Sequence, residues 1–100
     1  MNLEEIITEV QQKASTIDPL GYVVKFVFED ESSFFLDGKG DANTVAKEGT
    51  DPDTTIKVKQ KSFLNLIRGK LDPTIAFMSG RIKVDGKLGV ALKLQDLFKA

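Results

Sequence analysis

The C-terminal stretch constrains the fold more than any other. From Lys87 onward, Leu88, Val90, Ala91, Leu92, Leu94, Leu97 and Phe98 recur at helical spacing. They do not form one stripe. Leu88, Ala91, Leu92 and Gln95 share one side, and Val90, Leu94, Leu97 and Phe98 make a second apolar stripe beside it. A helix that is apolar over most of its circumference must be covered on more than one side. Periodicity does not distinguish a filled core from a lined cavity, so both remain open on this pattern alone.

The rest of the chain supplies the layers that could cover it. Leu3, Ile6, Ile7, Val10 and Ala14 follow one helix face, with Asn2 as a cap and Glu5 completing a capping box. That helix ends before Asp18-Pro19, because the residue before proline avoids the α region. Gly21 to Glu29 is rich in β-branched and aromatic residues and predicts a strand, with Tyr22, Val24, Phe26 and Phe28 on its apolar face. A turn at Glu29–Ser32 leads to a second strand from Ser33 to Leu36, forming a hairpin. Thr44-Val45-Ala46 reads as a short third strand, and Thr54 to Lys59 as a fourth with Ile56 and Val58 inward.

A helix starting at Lys61 or Ser62 carries Phe63, Leu64, Leu66 and Ile67 and closes at Gly69. Asp72 caps a short helix with Pro73 in its first position. Arg81 to Gly86 is the last strand. Hairpin-connected strands first and helices clustered later predict an α+β fold: an antiparallel-rich sheet with helices on one face, in a single domain spanning 1–100. The charged strand faces then look at water.

Composition removes several classes of chemistry. There is no cysteine and no histidine, which excludes disulfides, thiol nucleophiles, zinc thiolate sites and imidazole acid–base catalysis. Ser15, Ser32, Ser33, Ser62 and Ser79 have no histidine to activate them, and none stands three residues before a lysine. Asp37-Gly38-Lys39-Gly40-Asp41 and the Asp51/Asp53 pair lack the ligand rhythm of a calcium loop and read as solvated turns. No glycine cluster has the strand–loop–helix setting of a nucleotide site. The expectation is a chain with no metal, no cofactor and no enzymatic activity.

With 14 Lys+Arg against 15 Asp+Glu, the whole-chain balance offers neither a basic stripe for nucleic acid nor a cation cluster for an anionic membrane. Lys57, Lys59 and Lys61 alternate on a solvated strand face. No apolar run approaches the roughly 20 residues of a membrane span. The acidic start, Met1-Asn2-Leu3-Glu4-Glu5, has no signal-peptide pattern, so the chain reads as complete and cytoplasmic. Transient membrane contact and the oligomeric state stay open.

From Asp53 to Gln95 the sequence resembles the sterol carrier protein type-two family. The residues that carry this are Asp53-Thr54-Thr55-Ile56, Phe63-Leu64, Gly69-Lys70-Leu71-Asp72-Pro73, Ala76-Phe77-Met78-Ser79-Gly80-Arg81-Ile82-Lys83-Val84, Gly86, and Leu88-Gly89-Val90-Ala91-Leu92-Lys93-Leu94-Gln95. The resemblance implies about five strands with helices stacked on one face and an apolar tunnel between the layers. It implies binding of sterols, fatty acids, fatty acyl-CoA and phospholipids with broad specificity and no covalent chemistry. Two departures stand out. The chain ends Phe98-Lys99-Ala100 and not in a peroxisomal tripeptide, and it lacks the family's C-terminal extension, which implies a more open or differently plugged mouth.

On this resemblance, Val24, Phe26 and Phe28 are expected in the sheet wall of the tunnel. Leu64, Ile67, Ile75 and Phe77 are expected to line the middle helices, with Met78 as a deformable filler. Leu88, Leu92 and Gln95 would line the last helix, where Gln95 either meets a headgroup or is an ordinary exposed glutamine. An acyl chain of about twelve methylenes leaving water offers roughly 10 kcal/mol before the costs of association. The expected partner is thus an apolar lipid, carried without catalysis. The competing reading is a lipid-presenting accessory or protein-interaction module with a filled core.

Overall fold

The computed structural model describes residues 2–49 and 51–99. Local signals build its elements in order: α1 (Leu3–Ala14), β1 (Val23–Val27), β2 (Ser33–Asp37), β3 (Thr44–Ala46), β4 (Thr54–Val58), α2 (Gln60–Ile67), α3 (Pro73–Met78), β5 (Ile82–Gly86) and α4 (Leu88–Lys99). The expected caps are in place. The Glu5 N–H donates to Asn2 Oδ1 at 2.8 Å, and Glu5 Oε1 accepts in return from the Asn2 N–H. Asp72 Oδ1 accepts from the N–H groups of Thr74 and Ile75 at 2.8 and 3.2 Å, with Pro73 opening the helix. Several boundaries differ from expectation: β1 is shorter by two residues at each end, and one helix start is set from outside its own segment. α2 begins at Gln60, and Lys59 in its cap position makes no side-chain bond. The Gln60 N–H donates instead to Glu29 in the turn after β1, at 3.0 Å, a cap that no local pattern reveals.

The five strands lie in the order β3-β2-β1-β4-β5. β1–β2, β2–β3 and β4–β5 pair antiparallel, as expected, but the central β1–β4 pair is parallel, so the sheet is mixed. The register sets Phe34, Phe26, Ile56 and Val84 in one row across the sheet. α1 lies over β3 and touches α2, α2 touches α4, and α3 and α4 rest on β5. The helices therefore cover the face made by Val24, Phe26, Phe34, Leu36, Ile56, Val58 and Ile82, all of them buried. Lys25, Lys57 and Lys83 alternate onto the other face.

Two buried polar side chains pin the connections. Asn43 Nδ2 donates to the carbonyls of Ala14 and Asp18 at 3.1 Å each, and its Oδ1 accepts from the Leu20 N–H at 2.9 Å. It thereby satisfies the carbonyl end of α1 and the loop that follows. Thr54 Oγ1 donates to the Lys87 carbonyl at 3.1 Å and accepts from the Lys87 N–H at 3.0 Å, fixing where α4 starts. Gly86 lets the two segments meet: at φ 123°, a Cβ there would stand 2.7 Å from the Asp53 carbonyl oxygen.

α4 corrects the expectation of cover on more than one side. Val90, Leu94, Leu97 and Phe98 are buried, while Leu88 and Leu92 are 61% and 69% exposed. Its neighbour α3 has only six residues and itself leaves Ile75, Phe77 and Met78 exposed. Among the described residues, nothing lies across that side.

Candidate functional site

The uncovered side of α4 borders a cavity of about 300 Å³. Phe26, Ile56, Val58 and Ile82 face it from the sheet, and Phe63 and Leu66 from α2. Pro73, Thr74 and Phe77 come from α3. Leu88, Ala91, Leu92, Leu94, Gln95 and Phe98 complete it from α4. Each group follows from local periodicity. Phe63 and Leu66 are one helix turn apart, and Ala91, Leu94, Gln95 and Phe98 repeat at intervals of three and four. Val58 and Ile82 are direct cross-strand partners.

A cluster of aromatic rings closes the inner end. Phe26 stacks on Phe34 with centroids 5.0 Å apart and meets Phe63 at 5.1 Å, while Phe63 packs edge-on to Phe98 at 6.3 Å. Phe26 and Phe63 thus belong at once to the packed core and to the cavity wall. At the other end Phe77, Leu88 and Leu92 are partly in water and form the rim.

Among the described residues, no Asp, Glu, Lys or Arg lines the cavity, and only Thr74 and Gln95 bring polar side chains. Such a lining can withdraw hydrocarbon from water and offer one or two neutral hydrogen-bonding groups. Among the described residues, no group of His, Cys, Asp and Glu side chains could hold a metal ion.

The residues expected at the site divide into three groups. Phe26, Phe77, Leu88, Leu92 and Gln95 line the cavity. Val24, Phe28 and Ile67 are buried within the packed core and Leu64 lies half-buried against it, all outside the lining. Phe28 instead packs on Phe63 and Phe34, at 5.5 and 5.9 Å. Ile75 and Met78 point to water, 59% and 80% exposed, beside the rim and not within it. The space is therefore local to the C-terminal half, where α3 and α4 cover β4 and β5. Periodicity predicted apolar faces correctly for Ile56, Val58, Phe63, Leu66, Ile82, Leu94 and Phe98 but did not single them out as lining. The Ala91, Leu94, Gln95, Phe98 spacing was the available signal.

Of the carboxylates read as turn residues, Asp53 ties its turn to the start of β1 and Asp37 closes its own turn. Asp53 Oδ2 accepts from the Val23 N–H at 2.9 Å and lies 3.5 Å from Lys39 Nζ. The Val23 hydrogen bond, aided by Lys39 and Lys87 and opposed by desolvation, holds the Asp53 carboxyl below its ordinary pKa. Asp37 Oδ1 accepts from the Lys39 N–H at 2.9 Å, closing its own turn.

Charge is also less even than the whole-chain balance implies. Before position 50 there are four Lys/Arg against ten Asp/Glu, and after it ten against five. The half that carries the cavity is basic, at +5, and the other acidic, at −6. Summing over the whole chain hid this division.

Comparison with known proteins agrees with this geometry. The chain is 38% identical over 79 residues to hydroxysteroid dehydrogenase-like protein 2 of Xenopus laevis, a match covering 75% of this chain and 19% of that protein. The chain thus spans about a fifth of the length of that relative. The solution structure of sterol carrier protein domain 2 of Helicoverpa armigera superposes with a TM-score of 0.77 at 24% identity, over 99% of this chain and 91% of that one. The solution structure of palmitated SCP2L2 from Aedes aegypti gives a TM-score of 0.73 at 21% identity, over 100% and 96%. Among the described residues, no helix is long and apolar enough to cross a membrane. The SCP-2 sterol transfer family matches residues 3–99, and with the fold above this makes the chain a member of that family.

Proposed function

We propose that the chain binds lipids in the α3–α4 cavity and transfers them without covalent chemistry. The observation that carries this reading is a cavity of about 300 Å³ lined mostly by hydrocarbon, with no titratable side chain among the described residues of its wall. That volume lies at the lower end of the usual range for small-molecule sites, about 300–1,000 Å³. Each methylene entering it from water contributes about 0.8 kcal/mol. Roughly ten methylenes thus offer about 8 kcal/mol before the costs of association, and the surplus sets the affinity. The partly open rim lets a longer chain or a bulky headgroup extend outward. Fatty acid, fatty acyl-CoA, phospholipid and sterol are thus the ligand classes, and the palmitated Aedes aegypti relative supports the first.

Phe26, Phe77, Leu88 and Leu92 make the apolar contacts in this reading, and Gln95 offers its amide to a headgroup or carboxylate. Val24, Phe28, Leu64 and Ile67 back the wall. Ile75 and Met78 lie beyond the ligand.

Native mass spectrometry of freshly purified protein tests the proposal: bound fatty acid or phospholipid is expected. Apo protein alone, with no uptake of a fluorescent fatty acid, would overturn it. A second reading, a lipid-presenting module for a larger enzyme, is favoured by the short share of the Xenopus laevis relative that the chain matches. Copurification of a catalytic partner would support that version, in which the same cavity delivers its ligand to a neighbour.

A further inference from the structure

On the sheet face opposite the helices, Lys57 of β4 stands directly across from Lys83 of β5. The same register, continued one step past the strand ends, sets Lys59 opposite Arg81. Opposed side chains start about 5 Å apart and alternate residues of a strand about 7 Å apart, so four cations share one small patch. All four line an open groove of about 520 Å³, where β1 and β4 end and β5 begins. The groove shares Val58 with the α3–α4 cavity and otherwise has its own wall. We propose that it binds a small organic phosphate carrying two or more phosphate charges. This site does not depend on the carrier reading.

Like charges directly opposite one another destabilise a sheet, and here two such pairs adjoin. Among the described residues, none of the four cations forms an ion pair. Glu29, the carboxylate in the groove wall, accepts the Gln60 N–H at 3.0 Å. Asp85, the next residue of β5 on this face, stands opposite Thr55. The fold therefore gathers positive charge at one end of the sheet and leaves its neutralisation to something from outside.

The wall selects the ligand. The Arg81 guanidinium offers a planar fork that matches two phosphate oxygens, and the three lysines add compact charges around it. Ser62, in the first turn of α2, and Ser79 bring hydroxyl groups. The positive end of α2 also favours an anion there, and Lys59 in its cap position makes no side-chain bond. Val27, Phe28 and Val58 give the groove an apolar part that a bare inorganic ion would leave unused. Its volume falls within the usual range for small-molecule sites, about 300–1,000 Å³. A nucleic-acid strand strings single charges along its length and needs a basic stripe, which a patch this short does not supply. An extended acidic peptide spaces the carboxylates of one face about 7 Å apart, whereas linked phosphates bring several charges within a few bonds.

Titration of the ¹⁵N-labelled chain with adenosine diphosphate, and separately with inorganic pyrophosphate, tests this by NMR. With adenosine diphosphate, saturating shifts are expected at the amides of Lys57 to Ser62 and Ser79 to Lys83, half-complete at about 1 mM or below in physiological salt. Pyrophosphate should bind more weakly, because it cannot use the apolar part of the groove. Lys57→Gln with Lys83→Gln should weaken adenosine diphosphate about tenfold or more, through lost charge-assisted hydrogen bonds. The same variant should melt no lower than the parent, because it removes an opposed like-charged pair. None of the four cations lines the cavity, so its uptake of a fluorescent fatty acid should be unchanged. Shifts that never saturate, or that spread equally to Lys25 and Lys47, would show diffuse charge attraction and overturn the proposal. So would pyrophosphate binding as tightly as adenosine diphosphate, or affinity that survives the double substitution. Saturable binding that depends on Lys57 and Lys83, in a chain that takes up no fatty acid, would uphold the groove and refute the carrier reading alone.

Discussion

Beneath α1, the side chains of Ile6, Val10, Ala14, Phe34 and Leu36 are wholly shielded from water, whereas beyond the Phe26–Phe63 contact Phe77, Leu88 and Leu92 remain 47% to 69% exposed. The two regions use the same residue types on the same face of one sheet, so hydrophobicity does not explain the difference. Anchorage does. α1 has 12 residues, and polar contacts tie it down along its length. Gln11 Nε2 donates to the Asn43 carbonyl at 3.1 Å while its Oε1 accepts the Val45 N–H at 2.9 Å. Arg68 forks onto Glu9 with both contacts at 3.1 Å. α4 is held at its start by Thr54 and midway by Lys93 over the Tyr22 ring, 5.5 Å from its centroid. A helix pinned along its length closes the layer beneath it. A helix held at fewer points, beside a six-residue neighbour, leaves space.

That contrast can be broken experimentally, most forcefully from the filled side. Phe34→Ala removes a fully buried ring that touches Phe26, Phe28 and Phe63, and should cost about 3–5 kcal/mol in urea unfolding. A cost under about 1 kcal/mol would mean that the α1 half is as loosely packed as the other. Asp53→Ala tests the junction of the halves, with a smaller effect. Because the folded Asp53 carboxyl titrates below its ordinary value, the stability it adds is present above that value, about pH 3.9, and is lost as pH falls through the folded one. The melting temperature of the variant should therefore lie below that of the parent by a steady margin from about pH 5 to 8, narrowing on further acidification. A margin that grows in acid would contradict the assignment. The smallest stability change belongs to the open side: Leu92→Arg should alter folding by no more than about 0.5 kcal/mol, yet strongly reduce fatty-acid uptake. Global unfolding of this variant would place Leu92 in essential packing and remove the distinction between the halves.

Much of the fold was legible because its signals are local. Asn2 and Glu5 announce α1, Asp72 and Pro73 announce α3, and the alternation of Val24, Phe26 and Phe28 gives the buried face of β1. What escaped notice depends on distant partners. The parallel pairing of β1 with β4 leaves no mark on either strand, and the start of α2 is set by Glu29 from the turn after β1. The site was read only partly for the same reason. α4 offers two apolar stripes, and which of them meets the core is decided by β5 and α2, not by α4 itself. On α2, Leu64 and Ile67 satisfy the helical period as well as Phe63 and Leu66 do, yet only the latter two reach the cavity. The charge division was present in the sequence throughout, but appears only when the halves are counted separately.

The parallel seam at the centre of the sheet has a consequence for the newborn chain. Val24 pairs with Thr54, about 30 residues further on, so the closing segment costs roughly 3 kcal/mol of chain entropy before the seam gains its first bond. Until residues 54–58 emerge and pair, β1 is the outermost strand of a half-built meander, displaying Val-Val-Lys-Phe-Val along an open row of amide and carbonyl groups. An edge of that kind recruits strands from other chains. The interval between making β1 and making β4 is therefore when this molecule is most exposed to aggregation, and when a ribosome-associated chaperone has most to shield.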